Sequence, residues 1–340
     1  MSKRTLHIVT GGAGFIGSNI VAALDRRDAD IVVIDWLGNI NKWRYLSRCR
    51  LIDLVPPSEC FAALDKIGDN ATSLIHMGAV SSTTEPNADL IVETNFRLSC
   101  RLWDWCARFQ IPFVYASSAA TYGDGANGFD DKDDPEHLAR LRPLNAYAWS
   151  KHLFDRWVLD CITRGGPAPP RWAGLKFFNV FGPNEFHKEG QRSVALQIFE
   201  QIRRGKQVRL FASDNPDYPD GGQKRDFVWV DDCVDIALWF ADAPRKNGIY
   251  NVGSGVARTF EELARCLYQA MDLPPDIRYV PMPDVLKGKY QYFTQANMQK
   301  LIRAGYSKPP ASLEDGTRRY VQEYLIESTF PIPAPVAVGK

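Results

Sequence analysis

The sequence predicts a doubly wound, parallel α/β sheet carrying a smaller C-terminal α/β lobe. Three observations predict it. A glycine cluster sits between a short apolar run and a helical pattern near the start of the chain. Buried-strand runs then alternate with helical patterns as far as Asn179. Beyond Asn179 the alternation loosens into helices broken by short strands. Alternating β and α elements favour a parallel sheet covered on both faces by helices. With 340 residues the chain is long enough for one large α/β unit and an appended lobe.

The first apolar run, Leu6 to Thr10, reads as a strand, and Phe15, Ile16, Ile20 and Leu24 share one face of a following helix. Ile31 to Ile34 is uniformly apolar, as expected of a strand buried on both faces. Ser73 to His76, Pro112 to Ala116 and Gly174 to Phe178 read the same way, with helical patterns over Ile91 to Phe109 and Tyr147 to Ile162. After Asn179 the expected helices are Val194 to Arg204, Asp231 to Asp242 and Phe260 to Met271, and the expected strands Val208 to Phe211 and Ile277 to Pro281. Asp214 to Gln223 is polar and rich in Pro and Gly, a surface loop. The expected division is a dinucleotide-binding domain over 1–179, a substrate lobe over 180–330 with segments returning to the first domain, and a tail over 331–340.

Composition excludes several roles. A formal net charge of +1 offers no field to hold nucleic acid. The seven cysteines are odd in number, irregularly spaced and without a C-x-x-C pair, which points to free thiols in a reducing cytoplasm. The five histidines are scattered, so no metal site is expected. No run of apolar residues has the length of a membrane span.

Thr10-Gly11-Gly12-Ala13-Gly14-Phe15-Ile16-Gly17 contains a G-x-G-x-x-G match. Its context gives it weight, because it leaves a strand and opens a helix. Gly11 and Gly14 allow a tight turn against a pyrophosphate, and Gly17 lets the helix pack against the strand. The free N–H groups of the helix N-terminus suit the phosphates. Asp35, at the end of the second strand, is placed to accept from the adenosine ribose hydroxyls, which favours NAD. Lys42 and Arg44 follow closely and can supply charge to a 2′-phosphate, so NADP stays open. In His76-Met77-Gly78-Ala79-Val80-Ser81 small residues let the backbone approach the cofactor, and Asn95 is placed to bond to that loop. Core packing is the plain alternative for Gly78 and Ala79.

Tyr147-Ala148-Trp149-Ser150-Lys151 is a Tyr-x-x-x-Lys on a predicted helix, so both side chains share a face. An ammonium beside a phenol lowers the phenol's pKa and suits it to proton transfer. Ser117-Ser118-Ala119-Ala120-Thr121-Tyr122-Gly123 follows a strand and offers a hydroxyl for the same substrate oxygen. Solvated turn serines and a chance Tyr/Lys spacing are the plain alternatives, which three elements in this order weaken.

TGGAGFIG, SSAATYG, Tyr147-x-x-x-Lys151 and the stretch Phe178-Asn179-Val180-Phe181-Gly182-Pro183 together resemble the extended short-chain dehydrogenases that work on nucleotide sugars. GAVSSTTE, FNVFGPNEFHK, KRDFVWV and LKGKYQYFTQA are similar to the ADP-heptose 6-epimerase family within that group. The resemblance implies a Rossmann-type domain and a tightly held NADP or NAD regenerated in each turnover. It also implies a homo-oligomer, specifically a pentamer, in the cytoplasm, supplying heptose for lipopolysaccharide. Tyr147 is implied as acid/base, Lys151 as its electrostatic partner, Ser118 as hydroxyl ligand and Lys188 as a second acid/base group. Cofactor contacts are implied at Gly11, Gly14, Phe15, Ile16, Gly17, Asp35, Trp36, Lys42, Met77, Gly78, Ala79, Val80, Ser81, Asn95, Lys151, Val180 and Lys188. Substrate contacts fall at Asn179, Ser193, Gln197, Phe211, Ala212, Ser213, Arg225 and Tyr290, with Arg225 on the pyrophosphate.

The chain departs from the family pattern at Trp36, at Pro57 and in the long Asp214 to Gln223 loop. The first two bear on the cofactor phosphate. Two rivals are weighed. The first is another nucleotide-sugar enzyme of the same group, a 4-epimerase or a dehydratase working through a 4-keto intermediate, and a dehydratase would carry an acidic pair where Ala119 and Ala120 stand. A redox-sensing binding protein could keep the glycines but has no need of Ser118, Tyr147 and Lys151 together.

Overall fold

The computed structural model describes residues 4–38, 41–205, 207–242, 247–283 and 291–326. Seven parallel strands form the main sheet: β1 (Leu6–Thr10), β2 (Asp30–Ile34), β3 (Asp53–Val55), β4 (Ser73–His76), β5 (Phe113–Ser118), β6 (Trp172–Phe177) and, much later in the chain, β10 (Gly248–Val252). Their order is β10-β6-β5-β4-β1-β2-β3. The chain runs outward from β1 to β3 and then restarts at β4 on the other side of β1. The strand order therefore reverses between β1 and β4, where such sheets open a crevice beyond their C-terminal ends.

Helices cover both faces, as the continuous apolar strand runs require. On one face α1 (Phe15–Arg26) and α5 (Val230–Asp242) bury Ile20, Val21, Ile236 and Leu238 against Val9, Ile31, Ile75 and Leu175. On the other α2 (Leu98–Phe109) and α3 (Ala146–Thr163) bury Leu102, Trp103, Phe154 and Val158 against Leu74 and Phe113. The lobe holds β7 (Asn179–Phe181), β8 (Val208–Phe211), β9 (Lys224–Trp229), β11 (Ala257–Thr259) and β12 (Ile277–Val280), with α4 (Val194–Arg203) and α6 (Phe260–Ala270). These pair as β11-β9-β7 and β12-β8. Their own core joins Phe181, Phe199, Trp229, Leu263 and Tyr320.

Several elements have no clear sequence signal. The short β3, β7 and β11 lack periodicity, β9 falls within the KRDFVWV motif, and β10 matches no expected element. The β10 edge of the sheet is closed by carboxylates: Ile249 N–H donates to Asp133 (2.8 Å) and Asn251 N–H to Asp131 (2.8 Å). Side chains thus stand in for the next strand, which keeps the edge from pairing with another chain. The expected helix over Ile91 to Phe109 exists, but its first part, Val92–Arg97, winds as a π-helix. Among the described residues no helix is long and apolar enough to cross a membrane, and no cluster of potential metal ligands occurs. The seven cysteines are free.

Candidate active site

The glycine turn lies at the reversal in strand order. Gly11 has φ +67°, and a Cβ there would stand 2.5 Å from Gly78 N. The turn and the loop after β4 therefore touch through two glycines. A Cβ on Gly17 would stand 2.1 Å from Gly11 O. Gly17 thus packs α1 against the turn itself, rather than against the strand as the sequence suggests. Gly14 precedes Phe15 and Ile16 as N-cap of α1, and no side chain caps it, so the helix end is left to a ligand. That bare helix end and the two glycine contacts make a cradle of the kind a dinucleotide's pyrophosphate fits.

Asp35 stands just past β2. It accepts from Ala13 N–H (2.8 Å) and Trp36 N–H (2.7 Å), and Lys42 pairs with it at 2.8 Å. Lys42, expected as a cofactor contact, is thereby tied to the acidic residue it was to offset, and it also donates to Trp36 O. Trp36 is 59% exposed.

Beneath the turn runs a buried polar chain that the sequence does not announce. The Ser99 hydroxyl donates to Asn95 O (2.7 Å), so it must accept from His76 Nε2 (2.9 Å). His76 Nδ1 then accepts from the Thr10 hydroxyl (2.5 Å), which in turn accepts from Gly78 N–H (3.3 Å). These partners fix Nε2 as a donor and fit a neutral imidazole, the form that full burial favours. Burial, with Lys151 nearby, pushes the His76 pKa down to about 3, which agrees. Asn95 sits within the π-helical turn, buried. Its side chain bonds Val80 N–H (2.8 Å) and Val80 O (2.9 Å) and donates to Ser150 (3.0 Å). The Ser150 hydroxyl donates to Tyr147 O (2.7 Å). Met77 N–H donates to Thr10 O (3.0 Å). The Met77–Ser81 loop and the start of α3 are thus fixed to one another.

Ser118 ends β5, and its hydroxyl accepts from Ala120 N–H (3.1 Å). It also lies close enough to the Tyr147 phenol to favour the ionised form. Lys151 is 3% exposed, one turn further along α3. Sequence spacing predicts that the ammonium lowers the phenol's pKa. In the free protein burial wins and raises Tyr147 above its ordinary value, with Ser118 pulling partly back. Burial likewise pushes Lys151 down to about 8. The same desolvation that raises a phenol lowers an ammonium.

Past β6, Asn179 is exposed and Val180 half-buried at the start of β7. Lys188 lies in the 3-10 turn Phe186–Gln191. Its Nζ is 5.7 Å from the centroid of the Phe15 ring, so the loop folds back beside the glycine turn. Burial lowers its pKa, and Glu185 partly restores it. Glu185 is itself buried and accepts from the Ser193 hydroxyl (2.6 Å) and Tyr320 (3.0 Å).

The residues expected to meet the substrate lie in the C-terminal lobe and its approaches. Ser193 gives its hydroxyl proton to Glu185 while capping α4 through Leu196 N–H (3.2 Å), and Gln197 donates to Arg192 O (2.8 Å). Both are therefore engaged internally rather than held for a ligand. At the end of β8, Phe211 is followed by Ala212, whose N–H donates to Val280 O (2.8 Å), and by Ser213, whose N–H donates to Asp220 (2.8 Å). Arg225, on β9, is buried over the Phe260 ring at 5.5 Å. Asp226 turns its oxygens to Ser254, Gly255 and Ala296 N–H groups and Asp231 pairs with Arg319. Tyr290 lies outside the described residues. A cavity of about 880 Å³ opens elsewhere, lined by Phe129, Asp232, Ser254, Asn297 and Tyr306 among others, and none of the residues assigned from sequence lines it.

The model of the NAD dependent epimerase/dehydratase family matches residues 7–253. An ADP-L-glycero-D-manno-heptose-6-epimerase from Nitratidesulfovibrio vulgaris is 46% identical over 329 residues, covering 94% of this chain and 98% of the relative. Among solved structures, the enzyme of the same name from Helicobacter pylori is 26% identical with TM-score 0.77, covering 95% of this chain and 98% of that one. A UDP-glucose 4-epimerase from Thermus thermophilus, solved as a complex with NAD, is 25% identical with TM-score 0.73, covering 93% of this chain and 98% of that one.

Proposed function

The chain belongs to the NAD dependent epimerase/dehydratase family, and on that premise we propose that it inverts C6 of ADP-D-glycero-D-manno-heptose, giving the L-glycero epimer for lipopolysaccharide. The observation that carries the reading is the likeness over nearly the whole chain to epimerases of that name, joined to an acid–base set beside a dinucleotide cradle.

Inverting a carbinol carbon without breaking its C–C bonds requires a ketone at that carbon, presented by opposite faces for oxidation and reduction. The bound nicotinamide supplies the redox capacity. This chain's residues move the proton. Tyr147, oriented by Ser118 and by the bond from Ser150 to its backbone, serves one presentation of the C6 oxygen. Lys188, on a separate loop beside Phe15, serves the other. Its lowered pKa suits a lysine that must lose and regain a proton during turnover. Lys151 steadies the phenolate. Arg225 anchors the distal diphosphate by a two-pronged hydrogen bond, which leaves the reacting end free to turn over. Ala119 and Ala120 leave no acidic pair for water elimination.

Deuterium at substrate C6 tests this. It is expected to remain at C6 in the product, with none reaching solvent or added cofactor. Washout into water would require proton abstraction or elimination and would overturn the mechanism.

The adenosine phosphate is set by Asp35 and Lys42. Asp35 favours the free hydroxyl of NAD, and Lys42, if drawn off Asp35, would let NADP in. Lys42→Ala should therefore weaken NADP binding more than NAD binding. The same reading carries a cytoplasmic homo-oligomer, a pentamer, which mass measurement in solution checks.

A further inference from the structure

A fully buried ion pair lies directly beneath the catalytic set. Lys176, on β6, and Asp155, on α3, meet at 2.6 Å with side-chain exposures of 1% and 0%. Asp155 also accepts from Ser117 (2.7 Å) and Tyr115 (3.1 Å), both on β5. Lys176 donates to the Thr121 hydroxyl (2.6 Å) and lies 5.0 Å from the Tyr122 ring centroid. Thr121 in turn donates to Ser118 O (2.8 Å). The cluster ties β5, β6 and α3 together at the level of Ser118.

Spacing links it to the acid–base pair. Tyr147, Lys151 and Asp155 stand four residues apart on one helix, so they follow one another along a single face. We propose that Asp155, locked in place by Lys176, Ser117 and Tyr115, is a positioning residue that holds Lys151 as an ammonium ion and thereby fixes the pH range in which Tyr147 works. The proposal rests on the reading of Tyr147 and Lys151 as the acid–base pair.

Two arguments favour it. Stability gives little reason to keep such a pair, because replacing both partners with apolar groups is often neutral or better. The charges around Lys151 also leave Asp155 as its support. From β4, His76 faces Lys151 and is neutral. On its own helix, Tyr147 is an uncharged phenol. Asp155 raises the Lys151 pKa against the burial that lowers it. Besides Lys151, the groups facing Asp155 are Tyr115, Tyr122, Lys176 and His152, of which only Lys176 is charged, since burial pushes His152 down to about 4 and raises both phenols.

The sign of the effect follows. The active form needs Lys151 protonated, so activity falls as pH rises through its pKa. Removing the Asp155 charge lowers that pKa and moves the alkaline limb of kcat/KM to lower pH.

The test is the pH profile of the holoenzyme turning over ADP-heptose. Asp155→Asn alone leaves Lys176 buried without its partner and can fail to fold, so the decisive variant is Asp155→Asn with Lys176→Met, which removes both charges together. Its alkaline limb should move down by on the order of half a pH unit, less than the shift from losing a lone opposite charge, because the Lys176 charge leaves with that of Asp155. Lys176→Arg, which keeps the pair, should leave the limb in place. A folded double variant with the parent's pH profile overturns the proposal. Tyr147→Phe run alongside separates the two readings. If that variant turns over normally, the acid–base assignment fails. If it is inactive and the double variant keeps the parent profile, only the role of Asp155 fails.

Discussion

The side of the cleft proposed to hold the cofactor and the side proposed to hold the substrate are built differently. On the cofactor side, one chain of buried hydrogen bonds runs from Thr10 through His76, Ser99 and Asn95 to Ser150 and the backbone of Tyr147. It joins β1, β4, the π-helical turn and α3. On the side assigned to the substrate, local bonds such as Ser193 with Glu185, Gln197 with Arg192, and Ser213 with Asp220 and Asn215 stand beside long-range ones, Glu185 with Tyr320 and Asp226 with Ser254, Gly255 and Ala296. A continuous buried network fixes relative positions, because breaking any link strands a desolvated partner. On the substrate-assigned side the anchors are individual buried carboxylates, Glu185 and Asp226, each drawing distant segments together.

The comparison can be broken most severely at the glycines. Gly17→Ala puts a methyl 2.1 Å from Gly11 O, backbone against backbone. The turn must shift, and we expect protein purified without bound nucleotide and without turnover, which mass analysis of released nucleotide checks. A normal nucleotide load would mean that the cradle tolerates displacement.

Next in size are the proton-transfer groups, one from each side. Tyr147→Phe and Lys188→Ala should each lower turnover by about 100- to 10,000-fold, with circular dichroism and bound cofactor unchanged. Near-normal turnover in Lys188→Ala would sink the two-base scheme and leave Lys188 as a cofactor contact beside Phe15.

Arg225→Ala should act on substrate binding more than on kcat. Loss of a charge-assisted hydrogen bond is worth about 1.5–3 kcal/mol, or roughly a ten- to hundredfold rise in KM with kcat little changed. An unchanged KM would move the diphosphate site elsewhere.

The smallest expected effect is on stability. Ser193→Ala removes the cap of α4 and one donor to buried Glu185, costing about 1–2 kcal/mol by denaturant titration. If its main effect is instead a raised KM, Ser193 meets the substrate as its sequence context suggests, and the two sides of the cleft differ less than their hydrogen bonds imply.

The sequence is most legible where function rests on neighbours in the chain. The glycine turn, the Tyr147 and Lys151 spacing and the apolar strands are local patterns of period and residue type. Folding reproduces them because helix and strand geometry fix which neighbours share a face. Asp155 is within the same reach, one more turn along the helix, yet a lone helical aspartate carries no signal until a buried lysine is seen to meet it.

What tertiary structure alone decided depends on residues distant in sequence. Nothing in the sequence announces the π-helical turn that carries Asn95, since five-residue hydrogen bonding leaves no residue pattern. The tautomer of His76 is set by Thr10 and Ser99, 66 and 23 residues away. The direction of the Tyr147 shift runs against the expectation because charge proximity can be read from spacing, whereas desolvation depends on everything packed around the phenol. That β10 joins β6 and has its edge closed by Asp131 and Asp133 likewise depends on the whole sheet being assembled. Sequence by itself determined the local elements and which residue types were available for chemistry. Burial, partner choice and protonation came from the tertiary structure, because each is a property of the surroundings a residue acquires only when distant segments close over it.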